Sequence, residues 1–229
     1  MLATILATAT ILAVDPPATA PVAPAKPAAK QTAPAAPAAE AGFVSLFNGK
    51  DLTGWIGDTK GYVVEDGAIV CGPQGTNLVT ADEYGDFTFR FEFKLTPGAN
   101  NGIGIRTPVE GDAAYVGMEI QVLDNTASQY AQLKPYQFHG SIYGVAPAKR
   151  EFLKPVGEWN TEEIVAKGRH ITVTLNGEVI VDVDLDEASK NGTVDGKDHP
   201  GLKNAKGHIA FCGHGDKVSF RNLRIKKDA

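Results

Sequence analysis

The stretch of this sequence most informative for chemistry is residues 119–124, Glu-Ile-Gln-Val-Leu-Asp. Side chains alternate between the two faces of a strand, so Glu119 and Gln121 share the face opposite the apolar residues. A carboxylate held there could act as a general base beside a hydrogen-bonding amide. Asp124 has the wrong parity for this face unless a β-bulge follows Gln121. The alternative is an ordinary solvated face, because polar residues on a strand are usually exposed.

Arg106 and His139 are two further residues whose side chains could act on a substrate. Arg106 ends a segment in which Gly102 and Gly104 share its face, and positions without side chains leave room for a ligand to approach the sheet. The alternative is a tight strand crossing, with the arginine in a surface ion pair. His139 lies in a glycine-bounded segment, and its imidazole could serve as an acid, a base or a metal ligand. Most single histidines do none of these.

Other signals of chemistry in the sequence are weak. There is no His-x-His or Cys-x-x-Cys metal spacing, nucleophile elbow, phosphate loop or dinucleotide fingerprint. Trp55 and Trp159 could stack on sugar rings, although an aromatic residue near a strand end more often belongs to the core. Cys71 and Cys212 both fall in predicted strands, where they either form a disulfide in an oxidising compartment or remain buried thiols.

The elements that position these residues are predicted to be strands almost throughout. Residues 87–95, Phe-Thr-Phe-Arg-Phe-Glu-Phe-Lys-Leu, alternate strictly, which is typical of a strand with one buried face. Asn176-Gly177 is a strong hairpin signal between the strands 170–175 and 178–183. Many short strands separated by Gly, Asn and Pro turns indicate an all-β sandwich or barrel. Further strands are predicted at 62–64, 68–70, 102–106, 118–123, 207–211 and 217–225, loops at 124–138 and 188–202, and one short helix at 186–190.

The first part of the chain does not have the composition of a globular domain. Residues 1–20 are predicted to be a signal peptide, because an apolar run too short to span a bilayer is followed by Ala18-Thr19-Ala20, a small-x-small cleavage site. No Lys or Arg precedes that run, and a hydrophobic tail on a cytosolic protein is the alternative. Residues 21–41, rich in Ala and Pro, are predicted to be an extended linker. We therefore expect an exported protein, periplasmic or extracellular, with no membrane span in its mature form.

The remaining residues, 42–229, are enough for one sandwich domain with a sizeable hydrophobic core. The formal net charge of the chain is −5. It therefore offers no basic footprint for nucleic acid and no polybasic patch for a membrane surface. Neutral or acidic small molecules remain as substrates or ligands.

Several stretches, taken in order, resemble the 3-keto-disaccharide hydrolase domain family, also described as 3-keto-glucoside lyase/hydratase. The opening residues 42–55, Gly-Phe-Val-Ser-Leu-Phe-Asn-Gly-Lys-Asp-Leu-Thr-Gly-Trp, are similar to the beginning of that domain. Each motif is loose, but the ordered set is specific and covers residues 42–227. The later matching segments are 101–103, 119–125, 140–144, 157–160, 175–177 and 218–225.

The resemblance implies a concanavalin-like jelly-roll sandwich of two antiparallel sheets, of which the concave one binds sugar. The chain is also similar to the laminarinase-type glucanases, which have a related fold and a catalytic strand that reads Glu-x-Asp-x-x-Glu. Glu119, Gln121 and Asp124 stand at the analogous places in this chain. A retaining glycosidase needs two carboxyl groups about 5 Å apart. The glutamine in the middle place argues against ordinary retaining hydrolysis.

The family resemblance implies a substrate that is a di- or oligosaccharide oxidised at the 3-position, which is cleaved by elimination and then hydration. One base must remove the proton from carbon 2, and a cation or hydrogen-bond donor must hold the enolate. We assign Glu119 as the base, with His139 as the second choice, and Arg106 as the enolate-stabilising catalytic group. No cofactor is predicted, although a divalent metal in place of the arginine is possible. The expected substrate-binding residues are Gln121, Asp124, Tyr143 and Trp159.

Two other functions fit the same predicted fold. A non-catalytic carbohydrate-binding module would use the same sheet to hold unoxidised glycans without turning over keto sugars. A structural or adhesion domain would carry no polar cluster on the concave sheet. Fold-level analogy alone does not separate the three.

Overall fold

The computed structural model describes residues 40–228. The predicted signal peptide, residues 1–20, lies outside the described residues, as does the predicted linker, residues 21–41, except for its last two positions. Between residues 40 and 228, no helix is both long enough and apolar enough to cross a membrane.

The described part of the chain is built mainly of strands. Their bounds are β1 (Val44–Ser45), β2 (Trp55–Gly57), β3 (Tyr62–Glu65), β4 (Ala68–Cys71), β5 (Asn77–Thr80), β6 (Phe87–Leu95), β7 (Asn100–Thr107), β8 (Met118–Leu123), β9 (Trp159–Lys167), β10 (His170–Leu175), β11 (Glu178–Asp184), β12 (His208–Cys212) and β13 (Val218–Lys227). Two short α-helices are α1 (Ala113–Val116) and α2 (Leu185–Ser189), and 3₁₀ turns lie at Ser128–Tyr130, Pro135–Gln137 and Pro200–Lys203.

These strands form two antiparallel sheets. The larger sheet has the order β11-β10-β9-β6-β13-β4-β3, with β1 also paired to β13. The smaller sheet has the order β2-β5-β12-β7-β8. Neighbours in each sheet are mostly distant in sequence, which is the connectivity of a jelly roll rather than of a meander. The predicted all-β, concanavalin-like sandwich of two antiparallel sheets is confirmed.

The hydrophobic core lies between the two sheets. On β6 the four phenylalanines and the final leucine are buried, while the residues between them are exposed at least in part, apart from Thr88. The smaller sheet contributes Ile103, Ile105 and Ile120, each fully buried in the same cluster. Burying side chains of this size stabilises the fold by about 1.5–3 kcal/mol each. The strict alternation of β6 therefore defines which face of the larger sheet turns inward.

The hairpin predicted at Asn176-Gly177 joins β10 and β11. Both residues have positive φ, 51° and 93°, which is the requirement of a two-residue type I′ turn. The short helix predicted at 186–190 is α2, one residue earlier at each end. Asp184 caps it by accepting hydrogen bonds from the backbone N–H groups of Asp186 and Glu187.

The two cysteines lie in separate apolar clusters and do not pair. Cys71 belongs to the core between the sheets, whereas Cys212 lies in a small apolar cluster with Val79, Ala113 and Ala210. Both thiols are free and buried. Of the two alternatives that the sequence left open, the disulfide is therefore wrong, and the cysteines are buried thiols.

The first described residues lie on the outer face of the larger sheet. Arg90 alternates with the buried phenylalanines of β6 and so projects outward. The carboxylate of Glu40 contacts Arg90 and lies 3.2 Å from Nε of Arg224. The ring of Phe43 packs 4.7 Å beneath the guanidinium of Arg90. The chain therefore enters the domain on the face of the larger sheet that is turned away from the smaller sheet.

Candidate functional site

A cavity of about 200 Å³ opens on the outer face of the smaller sheet. Its floor comes from β7 and β8, and its walls come from α1, the loop 124–138 and the loop between β12 and β13. We call it the sheet cavity. The side chains used below that line it are those of Asn100, Asp112, Tyr115, Glu119, Gln121, Gln137, Tyr143 and His214.

Glu119 lies on the floor of the sheet cavity. Its partner in the β7–β8 register is Gly104, and its side chain extends over Gly102. A Cβ atom on Gly102 would lie 2.6 Å from both Cγ and Cδ of Glu119. The two glycines were predicted to leave room for a ligand. At Gly102 that room is filled by Glu119 itself.

The environment of Glu119 is unusual for a carboxylate. The residue is only 5% exposed, and its Oε1 atom has no hydrogen-bond partner among the described residues. Burial raises the pKa of this carboxyl, an effect partly opposed by the nearby imidazole of His214. A carboxylate with a raised pKa is a stronger base than an exposed one.

Gln121 lies beside Glu119 on the same face, as the alternation predicted. Its Nε2 donates to Oδ1 of Asn100 at 3.0 Å, and its Oε1 is buried without a partner in the described part of the chain. Leaving a buried polar atom unpaired costs about 1–3 kcal/mol. Two such atoms on one strand face, both in a cavity wall, indicate a place where a ligand supplies the missing hydrogen bonds.

His214 is a site residue that sequence reasoning did not assign. It lies in the loop Gly213–Asp216 between β12 and β13, and its Nε2 is 4.0 Å from Oε1 of Glu119. Half of its side chain is exposed. The Glu119 carboxylate raises the pKa of His214, which keeps the imidazole positively charged to higher pH. The only sequence signal was its place between two glycines, and no metal or catalytic spacing marked it.

Three tyrosines line the cavity, Tyr115, Tyr130 and Tyr143, and two of them matter for the chemistry below. Tyr143 was predicted; it lies beside β8 because its backbone N–H donates to the carbonyl of Glu119 at 2.9 Å. Its hydroxyl accepts from Nε2 of Gln137 at 3.2 Å. Tyr115 was not predicted; it belongs to α1, whose N-terminus is capped by Asp112 accepting from the N–H of Ala114.

Arg106 does not reach the sheet cavity, and its predicted convergence with Glu119 is wrong. Its guanidinium donates to the carbonyls of Gly85 at 3.0 Å and Gly168 at 2.7 Å, and pairs with Asp86 at 2.9 Å. The physical reason is a bulge in β7.

The bulge is visible in how β7 pairs with β12. His208 pairs with Thr107, and Ala210 pairs with Gly104. Three residue steps along β7 therefore correspond to two along β12, so β7 contains one extra residue. Arg106 has φ of 48° at this point. The alternation that placed it on the face of the glycines ends there.

His139 also lies outside the sheet cavity. Its Nδ1 accepts from the backbone N–H of Leu123 at 3.4 Å, its ring packs 5.0 Å from that of Phe93, and its Nε2 is 3.2 Å from Oε2 of Glu162. Both members of this histidine–glutamate pair are buried on the core side of β9. His139 therefore faces the interior between the sheets, so it is not placed to act as a base in the cavity.

Asp124 and Trp159 were predicted to bind substrate, and neither lines the sheet cavity. The β7–β8 register is uninterrupted, so the bulge that Asp124 required after Gln121 is absent. Its carboxylate instead closes a turn by accepting from the backbone N–H of Thr126 at 2.9 Å. Trp159 packs under the guanidinium of Arg221, 3.8 Å from the ring centroid, on the larger sheet.

No cluster of three or more His, Cys, Asp or Glu side chains within residues 40–228 has the arrangement to hold a metal ion. The divalent metal considered from the sequence stays a prediction. What the structure assembles is a buried carboxylate, a neighbouring imidazole, three amide side chains and three phenols around one cavity.

Comparison with known proteins identifies the family that this chain matches. The family described as the 3-keto-alpha-glucoside-1,2-lyase-like domain matches residues 42–226. A relative from Bacteroides thetaiotaomicron, named 3-keto-disaccharide hydrolase, is 29% identical over 226 residues, which cover 81% of this chain and 78% of the relative.

Two crystal structures from Parabacteroides distasonis, both provisionally assigned as glycosyl hydrolases, have the same fold. One is 29% identical with a TM-score of 0.73, covering 82% of this chain and 94% of that one. The other is 30% identical with a TM-score of 0.72, covering 81% and 99%. Because the family match spans almost all of the described residues, the chain belongs to the 3-keto-alpha-glucoside-1,2-lyase-like domain family.

Proposed function

We propose that this protein cleaves glycosides whose sugar carries a ketone at carbon 3, by elimination followed by addition of water. The family and the relative named 3-keto-disaccharide hydrolase support a carbohydrate substrate of this kind. The observation that carries the proposal is the carboxylate of Glu119, buried on the cavity floor with one oxygen unpartnered among the described residues.

The chemistry of a 3-keto sugar suits a site with one such carboxylate. The ketone acidifies the hydrogen on carbon 2, and the glycosidic oxygen lies β to the carbonyl. A single base therefore suffices to start the departure of the aglycone. A retaining glycosidase would need a second carboxyl group about 5 Å away. Neither candidate supplies that second carboxyl group in the cavity. The middle position of the Glu-x-Asp-x-x-Glu pattern is Gln121, which is an amide, and Asp124 lies outside the cavity.

Four residues of the cavity have a role in this proposal. Glu119 takes the proton from carbon 2, and its raised pKa strengthens it as a base. His214, rather than Arg106, donates to the enolate oxygen, because its raised pKa keeps it cationic beside the carboxylate. Gln121 and Tyr143 orient the sugar through their hydrogen-bonding groups.

The test is turnover of 3-keto-trehalose and of trehalose by the purified protein in D₂O. Cleavage of the keto sugar alone, with deuterium at carbon 2 of the released 3-keto-glucose at early times, is the expected result. Product incubated with Glu119→Gln protein gives the background exchange. The matched control is Glu110→Gln, which changes an exposed glutamate away from the cavity.

Two results would contradict the proposal. Cleavage without deuterium at carbon 2 would mean direct displacement rather than elimination. Binding of unoxidised glycans with no turnover of keto sugars would favour the carbohydrate-binding module. The metal requirement stays a prediction, which activity before and after chelation, with Mg²⁺ or Mn²⁺ restored, would decide.

We also propose that the protein acts outside the cytoplasm. The support is in the sequence, in the apolar run of residues 1–14 and the small residues at 18–20. Sequencing the N-terminus of the protein recovered from the periplasm or medium should show that residues 1–20 have been removed. Full-length protein retained in the cytoplasm would contradict this localisation.

A further inference from the structure

The hydroxyl of Tyr115 is held by a lysine from a distant part of the chain. Nζ of Lys197 donates to the Tyr115 hydroxyl oxygen at 2.7 Å, and the ammonium also lies 4.9 Å from the ring centroid. An ammonium group has only donors. The phenol oxygen therefore accepts, and its own proton remains free for an acceptor in the sheet cavity. Tyr143 differs, because its hydroxyl accepts from the neutral amide of Gln137.

The loop that carries Lys197 is fixed against α1. The backbone of Gly201 approaches that of Gly117 so closely that a Cβ atom would collide with it. Nδ2 of Asn204 donates to the carbonyls of Val116 at 2.8 Å and Arg106 at 2.9 Å. The lysine is thus brought to the tyrosine by packing and hydrogen bonds at the C-terminal end of α1.

A buried histidine completes this support. Nδ1 of His199 lies 2.9 Å from the carbonyl of Ala114, and its Nε2 lies 3.1 Å from both oxygens of Asp195. The imidazole centroid is 4.8 Å from that of the Tyr115 ring. The backbone N–H of Asp195 donates to the carbonyl of Gly144. The pair of His199 and Asp195 therefore joins the segment that carries Tyr115 to the segment that carries Tyr143.

We propose that Tyr115 is the proton donor of this site, giving its hydroxyl proton to the departing glycosidic oxygen, and that Lys197 is the positioning residue that stabilises the resulting phenolate. The inference rests on the proposed function and deepens it. The ammonium lies 2.7 Å from the phenol oxygen, so it attracts the negative charge that develops on that oxygen as the proton leaves.

The proton balance closes without another reactant. Glu119 takes the proton from carbon 2, the electron pair forms the C1=C2 bond, the C1–O bond breaks, and Tyr115 protonates the leaving oxygen. Water then adds to carbon 1 and gives a proton to the phenolate. Glu119, whose proton has exchanged with solvent after the first step, then protonates carbon 2. Both residues recover their initial states, and one water is consumed.

The test compares two 3-keto-glucosides that differ only in the leaving group. 4-Nitrophenol leaves readily as an anion, whereas methanol needs protonation. Tyr115→Phe should lower kcat/KM on the methyl glucoside by about 100- to 1,000-fold, the usual contribution of a general acid. On the nitrophenyl glucoside it should lose less than about 5-fold. An equal loss on both substrates, or no loss on either, would overturn the proposal.

Lys197 provides the second measurement, since its side chain is exposed and its substitution should not affect folding. Lys197→Met should show the same dependence on the leaving group, and Lys197→Arg should restore most of the activity. The double variant with Tyr115→Phe should lose no more than Tyr115→Phe alone, because the two residues act as a unit. Lys190→Met, whose ammonium pairs only with Glu187, is the charge control.

The outcomes separate this inference from the proposed function. A wild-type protein that cleaves neither keto-glucoside overturns both. A wild-type protein that cleaves both, with variants whose losses do not depend on the leaving group, overturns only the role of Tyr115.

Discussion

The carboxylate of Glu119 lies over the bare backbone of Gly102, one strand away. The absence of a side chain at that position is what allows the carboxylate to lie flat on the cavity floor. The atoms nearest to a methyl group on residue 102 would be those of the Glu119 side chain rather than backbone atoms. The Glu119 side chain would therefore rotate away, and the backbone of the sheet would keep its position.

Gly102→Ala should therefore lower kcat/KM by about 100-fold, as misplacement of a catalytic group by roughly 1 Å does. The melting temperature should change little, because the clash is relieved by rotation of Glu119. Gly85→Ala is the matched control, since its Cβ would meet nothing closer than 3.4 Å. A large drop in stability with unchanged activity per folded molecule would contradict the assigned geometry.

Glu119→Gln should stabilise the protein while abolishing turnover. Burial raises the pKa of Glu119 above 4.5 in the folded state, so the free energy of unfolding falls as pH rises from 4.5 through that raised value. The amide carries no charge and removes this fall. We expect the melting temperature at neutral pH to rise by roughly 2–4 °C. Scans at pH 4 and pH 7.5 should show a gain only at the higher pH.

His214→Gln should change the pH profile of kcat/KM at both ends. Activity requires Glu119 ionised, and His214 is one of the influences that lower the pKa of that carboxyl. Without the imidazole, the acid limb should move to higher pH. The basic limb, which the proposal assigns to loss of the His214 proton, should disappear. An unchanged profile would separate His214 from the chemistry.

Arg106→Met should destabilise the fold and leave the chemistry intact. The substitution removes three hydrogen bonds of a buried guanidinium, two of them to backbone carbonyls. The side chain of Asp86 is 36% exposed, so the loss comes mainly from the two carbonyls, and a hydrogen bond to a charged group contributes about 1.5–3 kcal/mol. Urea unfolding should report this loss, while kcat of the folded fraction stays within about 3-fold of wild type. A much larger loss of kcat would show that Arg106 takes part in the reaction.

The strands that bear the cavity floor could be predicted because their signal is local. Period-2 alternation defined β6 and β8, and Asn-Gly defined the turn between β10 and β11. The same parity placed Glu119 and Gln121 together. These predictions need no knowledge of which strands are neighbours in a sheet.

The failures have a common physical origin in contacts between distant segments. The bulge at Arg106 arises where β7 pairs with β12, a strand about a hundred residues later in the chain. His214 reaches the cavity, and Lys197 reaches the hydroxyl of Tyr115, from loops far from β8 in sequence. Local periodicity carries no information on such pairings, so the residues that complete the site could not be identified from it.

The place where the chain enters the domain has a practical consequence. Glu40 and Phe43 rest on Arg90 of the larger sheet, whereas the sheet cavity opens on the other layer. Coupling the protein to a bead or sensor chip through the outer face of the larger sheet would therefore leave the mouth of the cavity facing the solution. Coupling at Lys197, whose ammonium lies 2.7 Å from the hydroxyl of the cavity residue Tyr115, would place the support beside the cavity instead.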